Sequence, residues 1–189
     1  LKIDNYNFKK NIILEVTAKT LNSNQVIQLV KKEKPKLVIC YGISFIKKRL
    51  LNCMPKKIIN IHSGLTQKFK GYASNFWAFY MLEPNNVGIT IHYVTNKADS
   101  GNIIYQVRPK LELRDTLHSV ATKSVLLITK KINFIIRELL KRDIRGVKNK
   151  TGKLFYSSDF KTHHLLLNYK FLKDKVIKLY LKRIIRQKS

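Results

Sequence analysis

Glycine and proline are sparse, 7 and 4 among 189 residues, a scarcity that argues against a disordered or fibrous chain. Cysteine occurs twice, as Cys40 and Cys53, each among apolar neighbours. That excludes a disulfide-stapled framework and reads as two reduced core thiols. No apolar run approaches the length of a transmembrane helix, and Leu1 to Phe8 lack the compact apolar region of a signal peptide. A cytosolic protein is expected. Acidic side chains number only 11 against 38 basic ones, for a net charge of +27. Such an excess points first to polynucleotide binding. Yet 30 of the basic residues are Lys and 8 are Arg, whereas a phosphate- or base-reading surface favours the Arg fork. A solvated surface serving a small anionic substrate fits better than a specific nucleic-acid partner.

What is present suits one substantial domain, with 44% apolar residues. Asn11 to Val16 reads as a short strand. Asn22-Ser-Asn24 offers caps for a helix from Gln25 to Lys34, which Pro35 ends. Lys36 to Tyr41 is a continuous apolar run, as for a strand buried on both faces. Gly42 makes a turn, and Ser44 caps a short helix to Leu51. A strand ending at His62 follows, then a helix from Ser74 to Leu82, a turn at Glu83 to Asn86, and strands at Val87–Val94 and Asn102–Val107. Asp115 is the expected N-cap of a long amphipathic helix reaching Arg142. Residues 146–152 read as a polar basic linker, Leu154 to Tyr156 as a short strand, and His163 to Gln187 as one amphipathic helix. The alternation predicts an α/β fold: an open, mostly parallel twisted sheet with flanking helices. The expected division is a catalytic domain over 1–145 and an appended segment over 146–189. A doubly wound sheet normally opens with an apolar strand and a glycine turn. Their absence suggests a fragment, or a chain short at this end, without its first βα unit.

The chain is organised around Ile58-Ile-Asn-Ile-His62. Side chains two apart on a strand share a face, so Asn60 and His62 arrive together where the strand opens into a loop. The carboxyl ends of strands are where open α/β sheets bind ligands. Further on, Asp99 stands in a loop closed by Gly101. An amide, an imidazole and a carboxylate suffice for acyl transfer. Asn60 can donate to a developing oxyanion. His62 can stabilise that charge or shuttle a proton, and a nearby Asp99 would favour the imidazolium. His92 reads as structural, and His163 and His164 as surface or cap residues. The aromatic group around Phe76 is mostly core, with Tyr72 or Trp77 as the candidate acceptor wall. No spacing suits a metal.

Asn60-Ile-His62, the Lys70-Gly71 pair, Gly88-Ile-Thr90-Ile-His92 and Asp99-Ser-Gly101 resemble the folate-dependent formyltransferase family. Its signature runs Asn-x-His-Pro-Ser, a basic-Gly pair, Gly-x-Thr-x-His and Asp-Thr/Ser-Gly. The likeness covers roughly Lys36 to Leu139. It implies a Rossmann-like fold, 10-formyltetrahydrofolate as co-substrate, no metal, and Asn60, His62 and Asp99 as catalytic residues. Tyr41, Gly42, Ser44, Phe45 and Ile46 stand where the family has a folate-contacting turn, and Asn96, Lys97 and Ala98 join them in the implied cofactor site. Ser63, Gly64, Lys70, Gly71, Tyr72 and Trp77 are the implied acceptor contacts. Ser63-Gly64 replaces the family's Pro-Ser, so the loop is shaped differently there.

The expected reaction is formyl transfer to an amine on a small phosphorylated, anionic acceptor. A nucleotide-linked amino sugar comes first, because Asn75 to Ala78 after the Gly71 loop resembles the sugar-modifying branch. Glycinamide ribonucleotide is the runner-up acceptor, hydrolysis of the formyl folate a third reading, and a truncated binding module the non-enzymatic one. The stripe Leu165, Leu166, Tyr169, Leu172, Val176, Leu179 and Ile184 must be covered by the domain, by a second subunit in a homodimer, or by a membrane surface.

Overall fold

The computed structural model of the chain describes residues 12–150 and 152–185. Its central sheet has four strands in the order β1 (Val38–Tyr41), β2 (Ile58–His62), β4 (Ile89–Tyr93) and β5 (Ile103–Val107). β3 (Phe69–Gly71) lies apart, paired in parallel with β6 (Lys153–Phe155). The helices are α1 (Asn24–Glu33), α2 (Lys48–Leu51), α3 (Ser74–Tyr80), α4 (Leu117–Lys141), α5 (His164–Leu166) and α6 (Val176–Leu181).

The alternation within β2 and β4 makes the sheet two-faced. Ile59 on β2 and Ile89 and Ile91 on β4 pack with Ile128, Ile135 and Leu139 of α4. On the opposite face, Cys40 and Ile58 pack with Ile27 of α1 and Leu50 of α2. Asn60 and His62 leave β2 on that second face, beyond the reach of α1.

The α/β architecture is as expected, but the strand directions differ from a mostly parallel sheet. β1 and β2 run parallel, whereas β2–β4 and β4–β5 are antiparallel. A short loop returns β4 to β5, and such a connection permits only the antiparallel pairing. β1 is an edge strand among the described residues, not one buried on both faces: Ile39 and Tyr41 are exposed. Residues 12–16 form no strand, and Asn11 lies outside the described residues.

Helix ends also depart from expectation. Lys34, in the left-handed region at φ 45°, closes α1. Asn22 does not cap α1; its amide donates to the Phe45 carbonyl and its oxygen accepts from the Lys47 N–H. Those two bonds hold residues 45–47 outside a helix, so α2 starts at Lys48 and Ser44 caps nothing. Thr116 rather than Asp115 caps α4, in a reciprocal pair with Ser119. Asp115 accepts from Ser119 Oγ and Lys123 Nζ one step earlier.

The terminal helix is broken. α5 continues through a wide turn at Leu167–Phe171, and Lys173 and Asp174 then take positive φ before α6. Asp174 Oδ1 accepts from the Leu117 N–H at the start of α4 and from Asn168 Nδ2, which draws the chain back onto the domain. Val176 and Ile177 are fully buried with Trp77, Phe79 and Phe155. The domain itself therefore covers this part of the apolar stripe. No described helix is long and apolar enough to cross a membrane.

Replacing the buried Ile177 by Ala removes side-chain volume that this cluster cannot refill. Urea unfolding of Ile177→Ala should show a loss of roughly 2–5 kcal/mol. An exposed control such as Leu166→Ala should stay within about 0.5 kcal/mol of wild type.

Candidate active site

Two antiparallel strands and one loop converge on the carboxylate of Asp99. The β2–β4 register sets Asn60 opposite His92 and His62 opposite Thr90. Asp99 stands in the loop after β4 with φ 45°, a conformation uncommon for a residue with a Cβ. Its Oδ1 accepts from Asn60 Nδ2 and faces His92 Nε2, each at 3.2 Å. Its Oδ2 accepts from the Gly71 N–H at 2.7 Å and faces His62 Nδ1 at 3.4 Å. Gly71, at φ 78°, passes so close to the Phe155 carbonyl that any Cβ would strike it. Only glycine lets β3 bring that N–H to the carboxylate.

His62 is buried, and its Nε2 lies 3.0 Å from Ser74 Oγ. Gly64 packs directly onto this contact: a Cβ there would meet Ser74 Cβ and come within 2.9 Å of His62 Nε2. Asn75 ties the same turn, donating to Ser63 Oγ and accepting from the Gly88 N–H. His92 Nδ1 is 2.8 Å from the Tyr93 carbonyl. Lys70 Nζ donates to Ser100 Oγ, which donates to the Ala98 carbonyl.

Burial pushes the Asp99 carboxyl up, but the His92 hydrogen bond, the attraction of His62 and the Gly71 N–H outweigh it and hold it at about 2. Burial lowers His62 more than Asp99 raises it, with the neighbouring His92 adding to the lowering. Asp99 does favour the imidazolium, as expected, but desolvation outweighs it and the ring is neutral at pH 7. Nδ1 faces Asp99 Oδ2, and Nε2 faces Ser74 Oγ, which itself donates to the Gly71 carbonyl at 3.2 Å. Burial likewise lowers Lys70, with Asp99 opposing.

The structure thus brings Asn60, His62, Asp99, Lys70 and Gly71 together. It also adds His92 and Ser74, which sequence reasoning left out. A signal for His92 existed: Thr90-Ile-His92 alternates in phase with Asn60-Ile-His62, but only the antiparallel register reveals the pairing. His92 is fully buried on β4, in keeping with a structural residue, and it also contacts Asp99. Trp77 is corrected too. It stacks on Phe155 at 4.2 Å inside the core, 3% exposed, and cannot wall a pocket. Tyr72, Ser63, Asn96 and Lys97 are exposed, and Ala98 is half-buried. Tyr41, Gly42, Ser44 and Phe45 are exposed beside the carboxyl end of β1, whereas Ile46 is buried against Leu50 and Cys40. Among the described residues no group of three metal-ligating side chains is arranged to hold an ion.

The fold and this site define the class as an α/β formyl-transferase-like domain. Residues 3–131 match the formyl transferase family model, and the chain belongs to that family. It is similar to a methionyl-tRNA formyltransferase of Finegoldia magna, 27% identical over 195 residues, covering 91% of this chain and 62% of the relative. The chain thus spans about three fifths of that relative's length. Among solved structures it is similar to the formyltransferase PseJ from Anoxybacillus kamchatkensis, at 27% identity, TM-score 0.58 and 76% coverage of each chain. That protein was crystallised with tetrahydrofolate and UDP-4,6-dideoxy-4-formamido-L-AltNAc. A phosphoribosylglycinamide formyltransferase from Bacillus halodurans is similar at 29% identity and TM-score 0.55, over 62% of this chain and 61% of its own.

The pH dependence of stability follows from Asp99. Its folded value of about 2 lies below the ordinary 3.8, so its contribution is full above 3.8 and is lost as pH falls through about 2. Urea titrations of wild type and Asp99→Asn should differ by a constant amount at neutral pH. That difference should shrink by about 2 kcal/mol on acidification through this window.

Proposed function

We propose that this chain moves a formyl group from 10-formyltetrahydrofolate to the amine of a small anionic acceptor, a nucleotide-linked amino sugar first. The observation that carries this reading is the largely buried Asp99 carboxylate gathering Asn60, His62 and His92 at one sheet end. The similarity to PseJ, crystallised with tetrahydrofolate and a formylated UDP-sugar, supports the donor and the first acceptor.

In this reading the amine nitrogen attacks the formyl carbon, and the carbonyl oxygen gains negative charge. Asn60, oriented by its bond to Asp99, donates to that oxygen. The neutral His62 takes the amine's proton, and Asp99 stabilises the imidazolium that results. The bond from the formyl carbon to the folate nitrogen then breaks, and the proton passes to the departing tetrahydrofolate. Lys70, beside Gly71 on β3 and bonded to Ser100, suits an anionic part of the acceptor. The exposed turn at Tyr41 to Phe45 and residues 96–98 are the proposed folate contacts.

A second acceptor, methionyl-tRNA, is favoured by the similarity to the Finegoldia magna enzyme along 91% of this chain. Mass spectrometry of the products from a UDP-amino sugar, glycinamide ribonucleotide and methionyl-tRNA, each with the formyl folate, decides among them. Formate release without any acceptor would identify a hydrolase instead. No turnover of the folate under any of these conditions overturns the reading.

His62→Asn and Asp99→Asn should each lower kcat about a hundredfold or more while leaving the far-UV spectrum intact. Because burial lowers His62 below its ordinary 6.5, the rate should hold as pH falls to that value and decline only beneath it. A decline centred above 6.5 would reassign the base.

A further inference from the structure

We propose that Asn149 is a positioning residue, holding the Asp99 loop in the conformation that aims its carboxylate at Asn60, His62 and Gly71. The proposal rests on the formyl-transfer reading above. A left-handed residue with a Cβ persists only where its surroundings over-determine it, and Asp99 is such a residue at φ 45°. Its grip comes from fifty residues away. Asn149 Nδ2 donates to the Asp99 carbonyl at 2.9 Å and to the Gly101 carbonyl at 3.2 Å, so one amide clasps the loop on both sides of Ser100. Its Oδ1 accepts from Thr66 Oγ1 at 3.3 Å, and Thr66 is fully buried in the turn after β2.

The segment carrying Asn149 is tied down on both sides. Before it, Val147 exchanges both backbone hydrogen bonds with Ile103, at 2.7 and 2.8 Å. After it, Gly152 lies so close to Thr66 and Lys68 that a Cβ would strike the Thr66 carbonyl. Lys153 N–H then donates to the Lys68 carbonyl, and β6 runs on beside β3. That pairing places Gly71, whose N–H binds Asp99 Oδ2. One strap therefore grips Asp99 twice: at its carbonyl through Asn149 and at its carboxylate through β3. Asparagine suits the place because it offers two N–H donors to two carbonyls and one acceptor to a hydroxyl. Aspartate would set a carboxylate against those carbonyls, and alanine would leave them unpaired.

The test compares the full chain with its Asn149→Ala and Thr66→Val variants. Asn149→Ala should lower kcat about ten- to a hundredfold, the scale of a misplaced catalytic group. KM for 10-formyltetrahydrofolate should stay within about twofold, since this residue does not bind the donor. Hydrogen exchange, read without substrate, should quicken at least about tenfold at the Gly71 amide and stay unchanged at Ile91 in the central strand. Thr66→Val should move both readouts the same way by less. A wild-type kcat in Asn149→Ala, an unaltered Gly71 amide, or equal quickening at Gly71 and Ile91 would each overturn the proposal. If the wild-type chain transfers no formyl group, the functional reading falls. The Gly71 amide then still decides whether Asn149 places the carboxylate.

Discussion

A carboxylate taken out of water must be met by donors or it neutralises itself. Asp99 is met from four directions: by the Asn60 amide, the His62 and His92 rings and the Gly71 backbone N–H. Much of the local architecture answers to that demand. β2 and β4 must pair in the register that sets Asn60 beside His92, and β3 must approach near enough to require glycine at 71. The loop itself must hold a left-handed residue. In return, the charge orients the side chains around it.

The sheet can host such a group because its two faces have different duties. The isoleucines of β2 and β4 seal one face against α4 and supply the hydrophobic stabilisation. The other face is apolar only near β1 and turns polar toward the strand ends, where α1 and α2 no longer cover it. A second cluster, built on α3, β6 and α6, anchors the strap that closes over the site. Trp77 belongs to that anchor, as its stacking on Phe155 shows.

Residues 3–131 match the formyl transferase family model, and the motifs that resemble that family's signature carry Asn60, His62 and Asp99. The departures are equally physical. Where the family signature has Pro-Ser after the histidine, this chain has Ser63-Gly64. Gly64 leaves the space into which Ser74 leans to meet His62. Gly64 and the Ser74 hydroxyl on α3 together set what His62 Nε2 meets.

The sequence by itself determined the helices and strands that carry strong periodicity, the α/β class, and the convergence of Asn60 and His62, because alternation on one strand is a local property. The resemblance to the formyltransferase family placed Asp99 with them. It did not determine strand direction, since the β4–β5 turn and the β2–β4 pairing depend on contacts between distant segments. It misplaced caps by one to three residues, because Asn22 bonds the Phe45–Lys47 segment and Asp115 takes Ser119 and Lys123 one step ahead of the true cap. The terminal helix looked continuous until Asp174 was seen bonded to the start of α4. Ser74 and Asn149 carry no local mark of the site, and the alternation that marks His92 gains meaning only from the β2–β4 register. Only tertiary structure, by bringing segments tens of residues apart within hydrogen-bond distance, decided that they surround one carboxylate. It also decided that burial, rather than the nearby charge, sets the protonation of His62.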